Sequence, residues 1–133
     1  MNRKERAEDL SPETREQLKN SLNELAAEME LTGGGRRFLS ELGAELLRKA
    51  PSLLAEIRRA IEAQQPAKLC APAKELRRAL AGVGVSLIAS LLTQVEAYAS
   101  ADDFTGALAR LVVVEKYYAI LSDELVEWIR KNG

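Results

Sequence analysis

The sequence predicts an all-α protein: an antiparallel up-down four-helix bundle with an additional helix at its N-terminus. Apolar residues recur at intervals of three and four along almost the whole chain, which is the spacing of one face of a helix. Glycines, prolines and short polar stretches interrupt this spacing and predict short loops. With 133 residues, of which 47% are hydrophobic, the chain is sized for one domain with one core.

The first half of the chain predicts three helical stretches. The first spans about residues 12–31, with Ser11 as its N-cap, and the glycines after Thr32 end it because they lose too much backbone entropy in a helix. The second reaches Pro51, where proline is expected to kink the helix or open the third. The third ends at residues 64–66. The expected inward-facing residues are Leu18, Leu22, Leu25, Met29, Phe38, Leu39, Leu42, Leu46, Leu47, Leu53, Leu54, Ile57 and Ile61.

Three more helices are predicted in the second half. The fourth stops near residues 82–84, and the fifth is bounded by residues 100–103. The last keeps a helical period over about 28 residues, roughly 42 Å at 1.5 Å per residue. Its strand-like run, residues 112–114, lies inside that period and is predicted to be helical. Residues 1–11 are expected to form a charged tail, and residues 12–133 one helical domain.

Composition excludes several kinds of chemistry. The chain has no histidine, which removes imidazole bases, imidazole metal ligands and a phosphohistidine. Its single cysteine, Cys70, cannot form an intramolecular disulfide and favours a reducing compartment. No run of 18 apolar residues is present, and residues 1–10 are charged rather than the apolar core of a signal peptide. We therefore expect a cytoplasmic protein that is not an enzyme, needs no cofactor or metal, and contacts no membrane.

Several stretches of the sequence fall into one known pattern. Phe38 to Leu42, followed by Ala50 to Ile57, corresponds to "FLxEL…APxLLxxL". Residues 60–65 correspond to "ALEAGD", and Ala101-Asp102-Asp103 stands where "GD" precedes the last helix. Residues 73–84 fall in register with "AHxLKGxxxxLG". With these stretches the chain resembles the histidine-containing phosphotransfer (HPt) domain, the four-helix relay module of bacterial two-component signalling. The resemblance covers about residues 20–127.

The resemblance implies a bundle that has lost its reaction. Lys74 stands at the position of the phosphoacceptor histidine, Arg77 at that of a lysine, and Arg78 at that of a glycine. A primary amine with a pKa near 10.4 is protonated at neutral pH and is not a nucleophile for an aspartyl phosphate. The resemblance thus implies a degenerate HPt domain without phosphotransfer. Pro72 departs from the pattern, and either the fourth helix begins at Ala71 or it kinks just before Lys74.

The function expected from this resemblance is a signalling adaptor or decoy that binds a response-regulator receiver domain or a histidine kinase. The candidate binding residues are Lys74, Arg77, Arg78, Lys68 and Ala81. Lys74, Arg77 and Arg78 are expected to share one exposed helix face and to meet the clustered carboxylates of a receiver domain. The alternative for this face is the solvated side of an amphipathic helix.

A second candidate function is a helical dimerisation or structural interaction module unrelated to the phosphorelay. If the last helix outruns its neighbours, Trp128 and Ile129 would offer a homodimer contact. Nucleic acid is not expected as a partner, because aromatic residues make up only 5% of the chain and the net charge is −1. Structural roles are expected for the acidic residues of the last helix and for Asp102-Asp103 at its start. Cys70 is expected to be a small packing residue.

Overall fold

The structure, a computed structural model, describes residues 35–83 and 85–132, together with residues 13, 15–17, 19–20, 23–24 and 27. These residues are almost entirely helical, and no strand occurs among them. Four helices are continuous: α1 (Gly35–Glu62), α2 (Pro66–Gly82), α3 (Ser86–Ser100) and α4 (Phe104–Asn132). The prediction of an all-α protein is confirmed.

The four helices pack side by side in the order of the chain. α1 packs on α2, α2 on α3, α3 on α4, and α4 returns to pack on α1. The α1–α2 and α3–α4 connections, residues 63–65 and 101–103, are short, and they make consecutive helices antiparallel. α1 and α4 are antiparallel as well, because the Cβ position of Gly43 lies 3.1 Å from Leu125 while Arg58 contacts Glu115.

Two prolines lie inside continuous helices. α1 runs through the exposed Pro51 as one helix of 28 residues, so Pro51 does not open a separate third helix. α2 begins at Pro66 and runs through the buried Pro72, which excludes a start at Ala71. Each proline removes one backbone donor. Packing of the long apolar faces on neighbouring helices explains why both helices continue, since tertiary contacts supply most of a helix's stability in a protein.

The core is formed by one stripe from each helix. Most of the apolar residues expected to face inward are buried, including Leu39, Leu46, Ile57, Leu76 and Leu92. In the last helix Val112 is 39% exposed, whereas Ala107 and Val114 are buried. The helical prediction for residues 112–114 is confirmed.

The N-terminal region is described only in part. Its described residues, from Glu13 to Ala27, are helical, in agreement with the first predicted helix. Arg15 from this region lies 3.3 Å from Asp123 and 3.4 Å from Glu124 on α4. The predicted tail over residues 1–11, with the N-cap Ser11, lies outside the described residues, as do Leu18, Leu22, Leu25 and Met29 and the glycine run as far as Gly34.

Candidate docking surface on α2

The outward face of α2 is fixed by its buried face. Leu69, Ala73, Leu76 and Leu80 pack into the core. Lys74 directly follows the fully buried Ala73, and a step of one residue turns the side chain by about 100° on a helix. The Lys74 side chain is accordingly exposed, and it forms no ion pair with any described residue. The centre of α2 thus presents a free ammonium group to solvent.

Arg78 lies one turn beyond Lys74 and lines the same groove between α1 and α2. This groove has a volume of about 460 Å³. Like Lys74, Arg78 is exposed and has no carboxylate partner among the described residues. Two free cations therefore stand on the α2 side of the groove. Its other lining residues are Leu42, Glu45, Lys49, Ala71, Glu75, Ala79 and Gly82.

The carboxylates that line the upper part of this groove, Glu45 and Glu75, contact a lysine of α1 and not the cations of α2. Lys49 Nζ lies 3.0 Å from Glu45 Oε1 and 3.5 Å from Glu75 Oε1. The hydrogen bond with Lys49 lowers the pKa of Glu45, and the same contact raises the pKa of Lys49. Neither carboxylate pairs with Lys74 or Arg78, so the two cations stay available to an external group.

Arg77 does not belong to this surface, which corrects the expectation that it shares an exposed face with Lys74 and Arg78. Arg77 Nη2 donates a hydrogen bond of 3.1 Å to Glu96 Oε1 on α3. Arg77 Nε is 3.1 Å from Glu96 Oε2, without an aligned hydrogen bond. Neighbouring residues on a helix diverge by about 100°, so Arg77 faces α3 while Arg78 faces the groove.

The remaining binding candidates lie away from Lys74. Lys68 is exposed and lines a different cavity, of about 410 Å³, near the α1–α2 turn. Arg59 of α1 lines that same cavity. Ala81 is exposed in the last turn of α2 and lines neither cavity. Cys70 was expected to pack inward, but it is an exposed free thiol on α2.

The dimer candidates on α4 face their own chain. The Trp128 side chain is only 7% exposed and belongs to the core. Ile129 is half-buried and lies 3.3 Å from the Cβ position of Gly43 on α1. This corrects the expectation that both residues offer a homodimer contact beyond the bundle: Gly43 of α1 lies against Ile129, and Trp128 is buried in the core.

The acidic residues expected to have structural roles contact nearby groups. Asp103 Oδ1 accepts a hydrogen bond of 2.9 Å from the Gly106 backbone N–H and caps α4, as predicted. Glu127 pairs with Arg130 at 2.6 Å, and this hydrogen bond lowers the pKa of Glu127. Among the described residues, no three cysteine, aspartate or glutamate side chains come together as metal ligands would. None of the described helices combines the length and apolar character required to cross a membrane.

Sequence reasoning missed the contribution of α1 to the candidate surface. Apolar spacing predicts Leu42 only as a core residue, and it assigns no role to Lys49 or Arg59. The helical phase of α1 is the signal that the sequence offers, because neighbouring side chains on a helix diverge by about 100°. Arg58 accordingly faces α4, where it lies 2.5 Å from Glu115, and Arg59 faces α2.

Comparison of the chain with models of protein families, with curated proteins and with solved structures gives no match.

Proposed function

We propose that the chain is an HPt-like up-down four-helix bundle with an added N-terminal helix, and that it acts in the cytoplasm as a non-catalytic signalling adaptor or decoy. Its partner is a response-regulator receiver domain or a histidine kinase, bound through the Lys74 and Arg78 surface of α2. The observation that carries the proposal is that Lys74, at the position of the phosphoacceptor in the resemblance, is exposed in the middle of α2 and has no ion-pair partner among the described residues.

The backbone supports the register of the resemblance. Gln64, with φ 55°, and Asp102, with φ 59°, are the non-glycine residues with a positive φ in the described chain. Gln64 falls on the glycine of "ALEAGD", and Asp102 lies in the stretch assigned to "GD". A left-handed backbone is the conformation that favours glycine. Two turns of this chain therefore adopt, without glycine, the backbone that the family's glycines would suit.

The chemistry at Lys74 favours binding over transfer. A protonated amine has no lone pair with which to attack an aspartyl phosphate. It still carries a positive charge at the place where a receiver domain's clustered carboxylates would approach, and Arg78 adds a second charge one turn away. A long arginine side chain in place of glycine also keeps a partner's backbone at a distance. The expected complex is held by a few exposed cations, so its affinity is modest and falls with salt.

Binding to receiver domains tests the proposal. Isothermal titration of the full chain against a panel of purified receiver domains and histidine-kinase dimerisation domains, in low and high salt, is expected to identify a partner. Lys74→Ala and Arg78→Ala are each expected to weaken the complex by up to about fivefold, because one exposed charge pair is worth up to about 1 kcal/mol. Lys116→Ala, which removes an exposed and unpaired lysine of α4, is the matched control. The proposed surface would be rejected if the chain bound no member of the panel, or if Lys74→Ala and Arg78→Ala bound as tightly as the unchanged chain.

Self-association is the second candidate function, and it now depends on residues other than Trp128. Val126 is 54% exposed and Val112 is 39% exposed, and both lie on α4. The two residues are fourteen positions apart, which places them about 21 Å apart along α4 and within about 40° of each other around it, so one partner helix laid along that face would contact both. Sedimentation equilibrium distinguishes the two candidates: the adaptor proposal expects a monomer, whereas a dimer dissociated by Val126→Ser would favour the interaction module.

A further inference from the structure

The cations of α1 and α2 form two groups. One group is held in ion pairs by carboxylates of this chain: Arg37, Arg48, Lys49, Arg58 and Arg77. The other group, among the side chains that the structure describes, has no such partner: Arg59, Lys68, Lys74 and Arg78. Every member of the unpaired group lines a cavity between α1 and α2, whereas Lys49 alone of the paired group does so. Among the described side chains of these two helices, the unpaired positive charge is therefore concentrated in one groove.

The two cavities follow one another along the groove. We call the cavity of about 460 Å³ that Lys74 lines the upper cavity, and the cavity of about 410 Å³ that Lys68 lines the lower cavity. Along α2 they adjoin, because Ala71 lines the upper cavity and the next residue, Pro72, lines the lower one. The free cations of the upper cavity are Lys74 and Arg78, and those of the lower one are Arg59 and Lys68. Lys68 and Arg78 are ten residues apart, about 15 Å along the helix axis.

We propose that this groove binds an acidic segment of the partner polypeptide that extends from the upper cavity to the lower one. The inference rests on the proposed function and adds to it a second contact region and the chemistry of the bound segment. Carboxylates placed along the segment pair with the four free cations, and the apolar Leu42 and Ala79 of the upper cavity accept one apolar side chain. About five extended residues at ~3.3 Å each, or a helix of about ten, span the distance.

The lining of the groove favours a polypeptide over a nucleic acid. Among the side chains that the structure describes, no aromatic residue lines either cavity and offers a ring on which a base could stack. Glu56 lines the lower cavity without an ion pair among the described residues, and Glu45 and Glu75 line the upper one. These carboxylates repel an evenly charged phosphate backbone, whereas acidic side chains on a peptide can be spaced to avoid them.

Binding of a labelled peptide of ten glutamates to the full chain tests the inference. Fluorescence anisotropy in low salt is expected to show binding that weakens as salt is added. The double variants Lys74→Ala/Arg78→Ala and Arg59→Ala/Lys68→Ala are each expected to weaken it by about fivefold or more. The matched control Lys116→Ala/Lys131→Ala also removes two exposed charges, both outside the groove, and is expected to change the affinity by less than about twofold. Unchanged thermal unfolding of all variants checks that each one is folded.

The outcomes separate this inference from the proposed function. If Arg59→Ala/Lys68→Ala leaves the affinity unchanged while Lys74→Ala/Arg78→Ala reduces it, the extended groove is rejected and the Lys74 surface is kept. If neither double variant of the groove changes the affinity for the peptide, or if the control variant weakens binding equally, the groove does not select acidic segments. The titration with receiver domains then decides the proposed function separately. Tighter binding of a ten-nucleotide oligothymidylate, weakened by the same variants, would overturn the choice of a polypeptide.

Discussion

Arg77 of α2 is tied to Glu96 of α3, with Nη2 3.1 Å from Oε1, and this ion pair removes the guanidinium from the surface that carries Lys74. The side chains are 35% and 18% exposed, so the pair lies partly inside the α2–α3 interface. The pair contributes to helix packing, and the free cations of α2 are those on its other side. Arg77 is consequently expected to act on stability and not on partner binding.

Arg77→Ala is expected to lower the free energy of unfolding by about 1–2 kcal/mol, because it leaves the half-buried Glu96 without its partner. Urea unfolding of Arg77→Ala, Glu96→Ala and the double variant would measure the coupling, expected at about 1 kcal/mol. Arg130→Ala is the control, since the Arg130–Glu127 pair is more exposed and is expected to contribute less to stability. A coupling near zero, or loss of partner binding in Arg77→Ala, would contradict this assignment.

Gly106→Ala is expected to destabilise the protein although alanine is the better helix former. A Cβ at Gly106 would lie 2.8 Å from the Tyr98 ring and 2.6 Å from Asp103 Oδ2, and displacing Asp103 disturbs the N-cap of α4. The expected loss of about 1–3 kcal/mol exceeds the propensity gain of about 1 kcal/mol. Gly82→Ala is the control, because its Cβ would make an ordinary 3.7 Å contact with Leu42. Equal unfolding free energies of the two variants would show that the Tyr98 contact is not restrictive.

Gln64→Gly is expected to stabilise the protein. Gln64 ends α1 in a left-handed conformation, φ 55°, with the Gln65 backbone N–H donating to the Ala60 carbonyl at 2.9 Å. This conformation costs a residue with a Cβ about 1 kcal/mol, which glycine avoids, and glycine's greater entropy in the unfolded chain offsets part of the gain. A rise of about 0.5 kcal/mol in the unfolding free energy is expected. Gln65→Gly, at φ −121°, should give no gain, and a gain there equal to that at position 64 would contradict the explanation.

Tyr118 is expected to ionise late in alkaline solution. Burial raises the pKa of Tyr118 above its usual 10.0, and a hydrogen bond with Ser122 opposes the shift only in part. Because the folded-state pKa is the higher one, the unfolded chain loses this proton first. The protein therefore loses stability as the pH rises above about 10. Ultraviolet titration should show one phenol that ionises above pH 10. This ionisation is expected to be lost in Tyr118→Phe and kept in Tyr117→Phe. Its persistence in Tyr118→Phe would refute the assignment.

The sequence was sufficient to predict most of the buried faces, because apolar spacing reports helical phase directly. Ala73, Leu76 and Leu80 set the inner face of α2, and the exposure of Lys74 followed from them. The effect of Pro51 was overestimated, since local propensity does not include the packing that keeps α1 continuous.

Partners across helices could not be predicted from spacing along one helix. Arg77 and Arg78 look equivalent in the sequence, yet Glu96 on another helix binds only Arg77. The position of Ile129 against Gly43 of α1 is likewise a tertiary relation that spacing along α4 does not report. The groove depends on residues of two helices and became visible only once α1 and α2 were placed together.

Nuclear magnetic resonance mapping of the receiver-domain complex tests the central claim most directly. Amide chemical shifts of the isotopically labelled full chain, recorded while an unlabelled receiver domain is added, are expected to change around Lys74 and Arg78 and on the facing turns of α1, with little change on α4. Shift changes centred on Val112 and Val126 of α4, or none with any receiver domain tested, would contradict the account.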